Sequence, residues 1–296
     1  MGITSTTMGM STIMDDVPRK TLQRRPRAGG DPVTPVSVIV PDAKPALLDA
    51  ALSRGMTARD DAGGGEQHAA LSSASLYRLM AWLSPAFPVG AFSYSSGIEW
   101  ANEAGDITDA ETLKAWLTVT LAQGGGYCDA LLFAAAHRAI AQEDDKALHE
   151  AAELAAAFAP SKERHLETTA QGNAFVEAAR AGWACAALER LKAIWDGPVA
   201  YPIAVAVTAA GHGIALEPAL AAYLQALAAN WVSAGVRLIP LGQTQGLQIL
   251  AALEPAVTTT AARACAASIE DIGSSALRAD LASARHETQY TRLFRS

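Results

Sequence analysis

The sequence predicts an all-α protein, and three observations support that prediction. Alanine accounts for 65 of the 296 residues, and it has the highest intrinsic helix propensity because its methyl group loses no rotamer freedom in a helix. From Ser75 onward, apolar residues recur at helical spacing in one segment after another. No segment has the alternating pattern of a half-buried β-strand. We therefore predict a single helical-bundle domain of about ten helices.

The first 70 residues differ from the rest of the chain. They contain six prolines, a run of three glycines at 63–65 and no sustained apolar period. That composition is typical of a disordered segment, and a start codon assigned too far upstream would produce it equally well. We predict a disordered or low-complexity extension over residues 1–70 and a helical domain over residues 71–296.

Local start and stop signals predict where the helices lie. The first, 76–83, ends at a Ser-Pro pair, because a residue before proline is disfavoured in the α region. Capping-box patterns at 96–99 and 108–111 predict that the next two helices begin at about residues 97 and 109. The glycine run at 124–126 predicts a break before the helix that follows.

The second half of the domain follows the same rules. Pro218 suits the first turn of a helix, since its missing N–H has no intrahelical partner there. The long helix that it begins ends near Pro240 and Gly242. The predicted helices cover 76–83, 97–103, 109–121, 128–141, 146–158, 161–183, 184–195, 202–210, 218–238, 244–253, 259–269 and 274–288.

Charge and cysteine content narrow the class of protein. Residues 76–296 carry 15 Lys+Arg against 22 Asp+Glu, so they hold the whole net charge of −7. An acidic body is a poor match to a polyanion, which disfavours nucleic-acid binding. The three cysteines form no CxxC pair and suit a reducing compartment. We expect a cytoplasmic protein.

Two uncharged stretches are long enough to be considered as membrane spans. Residues 197–216 are interrupted by two prolines and by Gly211-His212-Gly213, and residues 218–236 carry Gln225, Asn230 and Ser233. A spanning helix needs roughly 20 predominantly apolar residues. We interpret both stretches as bundle helices and expect no membrane insertion, with a membrane-associated helical protein as an alternative.

Catalytic motifs are absent from the sequence. No glycine precedes a lysine, which excludes a Walker A loop, and no GxSxG elbow occurs. The segment 149–153 resembles HExxH but ends in glutamate, so the histidine pair that binds zinc is missing. We therefore predict a non-enzyme with no metal or cofactor bound directly. The competing hypothesis is a helical enzyme whose site is assembled from distant residues such as Asp129, His137 and Glu163.

Three segments carry more information than the helices between them. The loop (residues 83–99) combines two prolines, two glycines and four serines with aromatic residues. Such a segment builds a rigid, non-helical connection. It either only joins two helices or presents Phe92 and Tyr94 to a partner. The late turn (residues 237–246) halts a long apolar helix at a Pro-x-Gly sequence, and Gln243 and Gln245 follow at once.

The third segment is the C-terminal tail (residues 285–296). Three arginines lie seven residues apart at 278, 285 and 292. Tyr290, Leu293 and Phe294 would be costly to leave in water, whereas most chains end in polar residues. Arginine and aromatic residues are enriched at protein interfaces. The tail therefore docks on the body of its own chain or, as we favour, on or against a partner protein.

Together these segments resemble the UreF family of urease accessory proteins, over residues 75–296. The late turn resembles that family in Ile239-Pro240-Leu241-Gly242-Gln243-Thr244, and the tail resembles it throughout. Leu247 departs from the pattern, since relatives often carry a polar residue there. The loop resembles the family's Pro-x-Gly-x-Phe/Tyr-Ser/Thr-x-Ser-x-Gly-x-Glu pattern through Pro88, Gly90, Phe92, Ser93, Ser95, Gly97 and Glu99.

The resemblance implies a non-catalytic scaffold for nickel insertion into apo-urease. Such a scaffold joins the accessory protein UreD (UreH) to the GTPase UreG, forms a homodimer within the complex and modulates the GTPase. Nickel and GTP are then handled by the partners. We further expect that Phe92 and Arg295 belong to one surface that orders when UreD binds. The predicted partner-binding residues are Phe92, Ser93, Tyr94, Ser95, Glu99, Gln243, Arg285, His286, Tyr290, Arg292, Leu293, Phe294 and Arg295.

Overall fold

The computed structural model describes Gly2 and residues 71–296. Helices and connecting turns make up this part of the chain, and no strand occurs within it. The all-α prediction is confirmed, whereas the predicted extension over residues 1–70 lies outside the described residues apart from Gly2. The α-helices are α1 (Ser73–Trp82), α2 (Ile98–Glu103), α3 (Ala110–Gln123), α4 (Gly125–Ala141), α5 (Asp145–Ala157), α6 (Lys162–Gly182), α7 (Ala186–Ile194), α8 (Tyr201–Gly211), α9 (Leu216–Leu238), α10 (Gln243–Ala252), α11 (Glu254–Ala266) and α12 (Leu277–His286), with short 3₁₀ turns at Ala91–Ser93 and Ile269–Asp271.

Helix α8 lies at the centre of the bundle, between α4 and α6. Every residue from Pro202 to Ala209 is buried, and most of them are alanine or valine. Small side chains let neighbouring backbones approach closely. The closest approach is at Gly172 of α6, where an added Cβ would lie 2.0 Å from the carbonyl oxygen of Val199. A side chain at position 172 would therefore push α6 away from α8.

Helix α9 is the one described helix that is long and apolar enough, by length and composition alone, to cross a membrane. Within the bundle, 56% of its most apolar 18-residue window is buried. The buried face carries Leu220, Tyr223, Leu224 and Trp231, which recur at helical spacing. The apolar character of α9 therefore has an explanation in core packing.

Some predicted boundaries are wrong, and each error has a physical reason. The cap of α2 is Gly97, not Ser96, because the Ser96 side chain bonds to other helices instead of to the α2 backbone. Helix α3 is capped one residue later than predicted, by Asp109, which forms a capping box with Thr112. The glycine run at 124–126 separates α3 from α4 by one residue only, because Gly125 already belongs to α4.

The early start of α4 has a packing reason. A Cβ at Gly126 would lie 2.8 Å from the Leu121 Cα atom, so glycine is what lets α3 and α4 meet across one linking residue. Helix α11 begins at Glu254 instead of residue 259, with proline in its first turn. Proline is tolerated there because the first N–H groups of a helix lack intrahelical partners.

Candidate functional site

The C-terminal tail folds back onto the loop of the same chain. The backbone oxygen of Ser296 accepts hydrogen bonds from the Ser95 backbone N–H (2.6 Å) and from the Ser95 hydroxyl (2.5 Å). The Arg295 backbone N–H donates to the Ser93 carbonyl at 2.8 Å. Two segments some 200 residues apart in sequence (Ser95 and Ser296 are separated by 201) are thereby paired along their backbones.

Glu99, in the first turn of α2, binds the middle of the tail. Its carboxylate accepts the backbone N–H groups of Leu293 at 2.5 Å and Phe294 at 2.9 Å. It also contacts His286 Nε2 at 2.9 Å. Glu99 is buried, and so are the Phe294 ring and His286. Since a buried carboxylate needs hydrogen-bond donors, the tail supplies what Glu99 would otherwise lack.

Glu163 of α6 approaches the same histidine from the other side. Its Oε2 lies 2.5 Å from His286 Nδ1, and its Oε1 lies 2.6 Å from Arg292. We call Glu99, His286 and Glu163 the Glu–His–Glu cluster. The cluster joins α2, α6 and the tail through ionisable groups that are almost fully removed from solvent.

A second polar cluster lies next to the first along α6. Glu167 accepts hydrogen bonds from the Ser296 hydroxyl at 2.9 Å and the Ser96 hydroxyl at 2.8 Å. It also pairs with Arg164 at 3.0 Å. The Ser96 hydroxyl in turn accepts the indole N–H of Trp231 at 2.8 Å. Ser96 has a φ of +53°, so its backbone is held in a left-handed conformation that places this hydroxyl between two helices.

Arg164 also reaches a buried carboxylate on α4. Its guanidinium lies 3.4 Å from Asp129, which accepts the Tyr223 hydroxyl at 3.0 Å. Burial raises the pKa of Asp129 above its ordinary value, although the charge of Arg164 opposes that shift. Burial also opposes the charge of Arg164, but Glu167 and Asp129 outweigh it and raise the pKa of the guanidinium. Burial and the Asp129 charge keep the pKa of Tyr223 well above its usual value, so the hydroxyl remains a donor.

Arg237, at the end of α9, holds the loop and the tail together. Its guanidinium carbon lies 3.7 Å from the ring centroid of Phe92 and 4.3 Å from that of Phe294. It also donates a hydrogen bond to the Phe92 carbonyl at 2.9 Å. Burial lowers the pKa of Arg237, and the negative faces of the two rings favour the charge. Arg237 is the first residue of the late turn and is not among the predicted partner-binding residues.

The predicted site residues fall into three groups by their exposure to solvent. Their partner-binding role stays a prediction, but their exposure differs sharply. The buried members shape the surface from beneath in this conformation, because the chain itself covers them. Buried are Tyr94, Ser95, Glu99, His286 and Phe294; half-buried is Ser93; exposed are Phe92, Gln243, Arg285, Tyr290, Arg292, Leu293 and Arg295. Gln243 begins α10 and makes no side-chain hydrogen bond within the described part of the chain.

The residues named for an assembled enzyme site do not converge. Asp129 bonds to Arg164 and Tyr223, whereas Glu163 belongs to the Glu–His–Glu cluster. His137 Nε2 lies 2.8 Å from the Ile214 carbonyl, and burial lowers the pKa of its imidazole. Within residues 71–296 no group of three or more His, Cys, Asp or Glu side chains is arranged to hold a metal ion.

A cavity of about 430 Å³ lies beneath α12, next to the Arg164–Asp129 pair. Its walls include Thr168 and Cys128. Burial raises the pKa of the Cys128 thiol to about 12, so this sulfur is a neutral thiol and not a nucleophile. The cavity lies between Ala279, Asp280 and Ser283 of α12 and the bundle, whereas α12 packs directly against the start of α2 at Gly97.

Replacing Gly97 with alanine is expected to lower the free energy of unfolding by about 1–3 kcal/mol. Gly97 has a φ of +83°, and an added Cβ would lie 2.7 Å from the Ser283 backbone nitrogen of α12. Chemical denaturation would measure the loss. Gly182→Ala is the matched control, because a Cβ there meets nothing within 4 Å. Equal stability of the two variants would contradict the packing argument.

These features define an all-α bundle whose C-terminal tail is fastened by buried charges to a loop near its first helices. The family model UreF matches residues 107–254. A urease accessory protein UreF of Rhodopseudomonas palustris (strain BisB18) is 62% identical over 227 residues, which cover 77% of this chain and 94% of that protein. One of Bradyrhizobium sp. (strain ORS 278) is 59% identical over 79% of this chain and 95% of its own length. The chain belongs to the UreF family.

Proposed function

We propose that the protein acts in urease maturation as a non-catalytic scaffold, joining UreD (UreH) to the GTPase UreG for nickel insertion into apo-urease. The observation that carries the proposal is the 62% identity to a protein named urease accessory protein UreF, over 94% of that relative's length. Such similarity over nearly the whole of a relative supports a shared task. The name supports urease maturation, and the partners are our inference from the family.

The loop and the tail form the docking surface in this proposal. They expose Phe92, Tyr290 and Leu293 together with the arginines at 292 and 295. Exposed aromatic and aliphatic side chains among arginines have the composition of a protein interface. In this proposal the tail orders on the loop when UreD binds, and the buried contacts beneath then hold Phe92 and Arg295 in one surface.

Chemistry is left to the partners in this proposal. The chain would act in the cytoplasm as a homodimer within the complex, with nickel and GTP handled by the partners and the GTPase rate of UreG altered by docking. This division of tasks agrees with a sequence that lacks a Walker A loop. The rate of GTP hydrolysis by UreG, measured with and without this chain in the assembled complex, gives the direction of that effect.

Co-expression of the full-length chain with the host's UreD and UreG tests the scaffold. We expect a ternary complex, recovered through a tag on UreD, that contains UreG only when this chain is present. Urease activity in the same cells should depend on the chain in the same way. A UreD–UreG complex and active urease formed without the chain would contradict the proposal.

A further inference from the structure

We draw no further inference here: the strongest candidate, the cavity of about 430 Å³ between α12 and the bundle, carries nothing, because the hydroxyl and charged side chains that line it are already hydrogen-bonded or paired within the described part of the chain and none of them is left to select a ligand.

Discussion

Replacing Arg164 with methionine is expected to lower the free energy of unfolding by about 3–5 kcal/mol. Arg164 is the cation that faces both Asp129 and Glu167, and its side chain is 13% exposed. Methionine keeps most of the side-chain volume but leaves both carboxylates without their charge partner. An uncompensated buried charge costs far more than a lost surface contact, so this substitution should rank among the most destabilising in the domain.

Denaturant unfolding of the unsubstituted protein and of Arg164→Met at pH 7 would measure the difference in their free energies of unfolding. Arg180→Met is the matched control, because Arg180 makes an ion pair of good geometry with Glu189 (2.7 Å) on the surface of the bundle. Exposed pairs contribute about 0–1 kcal/mol. If Arg164→Met lost no more stability than Arg180→Met, water would be solvating the Asp129 and Glu167 carboxylates in place of the lost guanidinium.

The helices could be predicted because their signals are local. The long helix predicted from Pro218 to residue 238 is Leu216–Leu238 in the structure, since periodicity and breakers mark both of its ends. Prediction failed where a side chain had a distant partner. Ser96 has the sequence context of a helix cap, but its hydroxyl is hydrogen-bonded to Glu167 and Trp231 instead. No pattern within a single segment reveals such competition.

The candidate site was predictable in part for the same reason. The sequence indicated that the loop and the tail are functional segments, and the structure brings them together. The sequence could not show which helix lies beneath them. Glu163 and Glu167 are one turn apart on α6 and face the interior, a spacing that indicates a shared face but is equally common on solvated surfaces. Tyr94 was expected at the surface, yet its ring is buried beneath Arg295.

Deleting residues 292–296 is expected to abolish co-purification with UreD while leaving helicity intact. The deleted residues follow the last helix, so the far-UV circular dichroism spectrum should not change. They carry the Arg292 contact to Glu163, both amides that bind Glu99 and the Ser296 contacts to Ser95 and Glu167. Without these contacts the remaining tail has little to hold it against the loop, and the proposed docking surface is lost.

Two substitutions distinguish the loss of the whole docking surface from the loss of one positive charge or of one exposed ring. Arg278→Ala removes an exposed arginine of the same stripe that pairs with Asp106 outside the tail, and it should retain UreD. Phe92→Ala removes an exposed ring and its contact with Arg237, but Arg237 keeps the Phe92 carbonyl and the Phe294 ring; it should weaken UreD binding without freeing the tail. Normal recovery of UreD by the truncated chain would place the UreD interface elsewhere on the bundle, and the tail contacts would then serve stability alone.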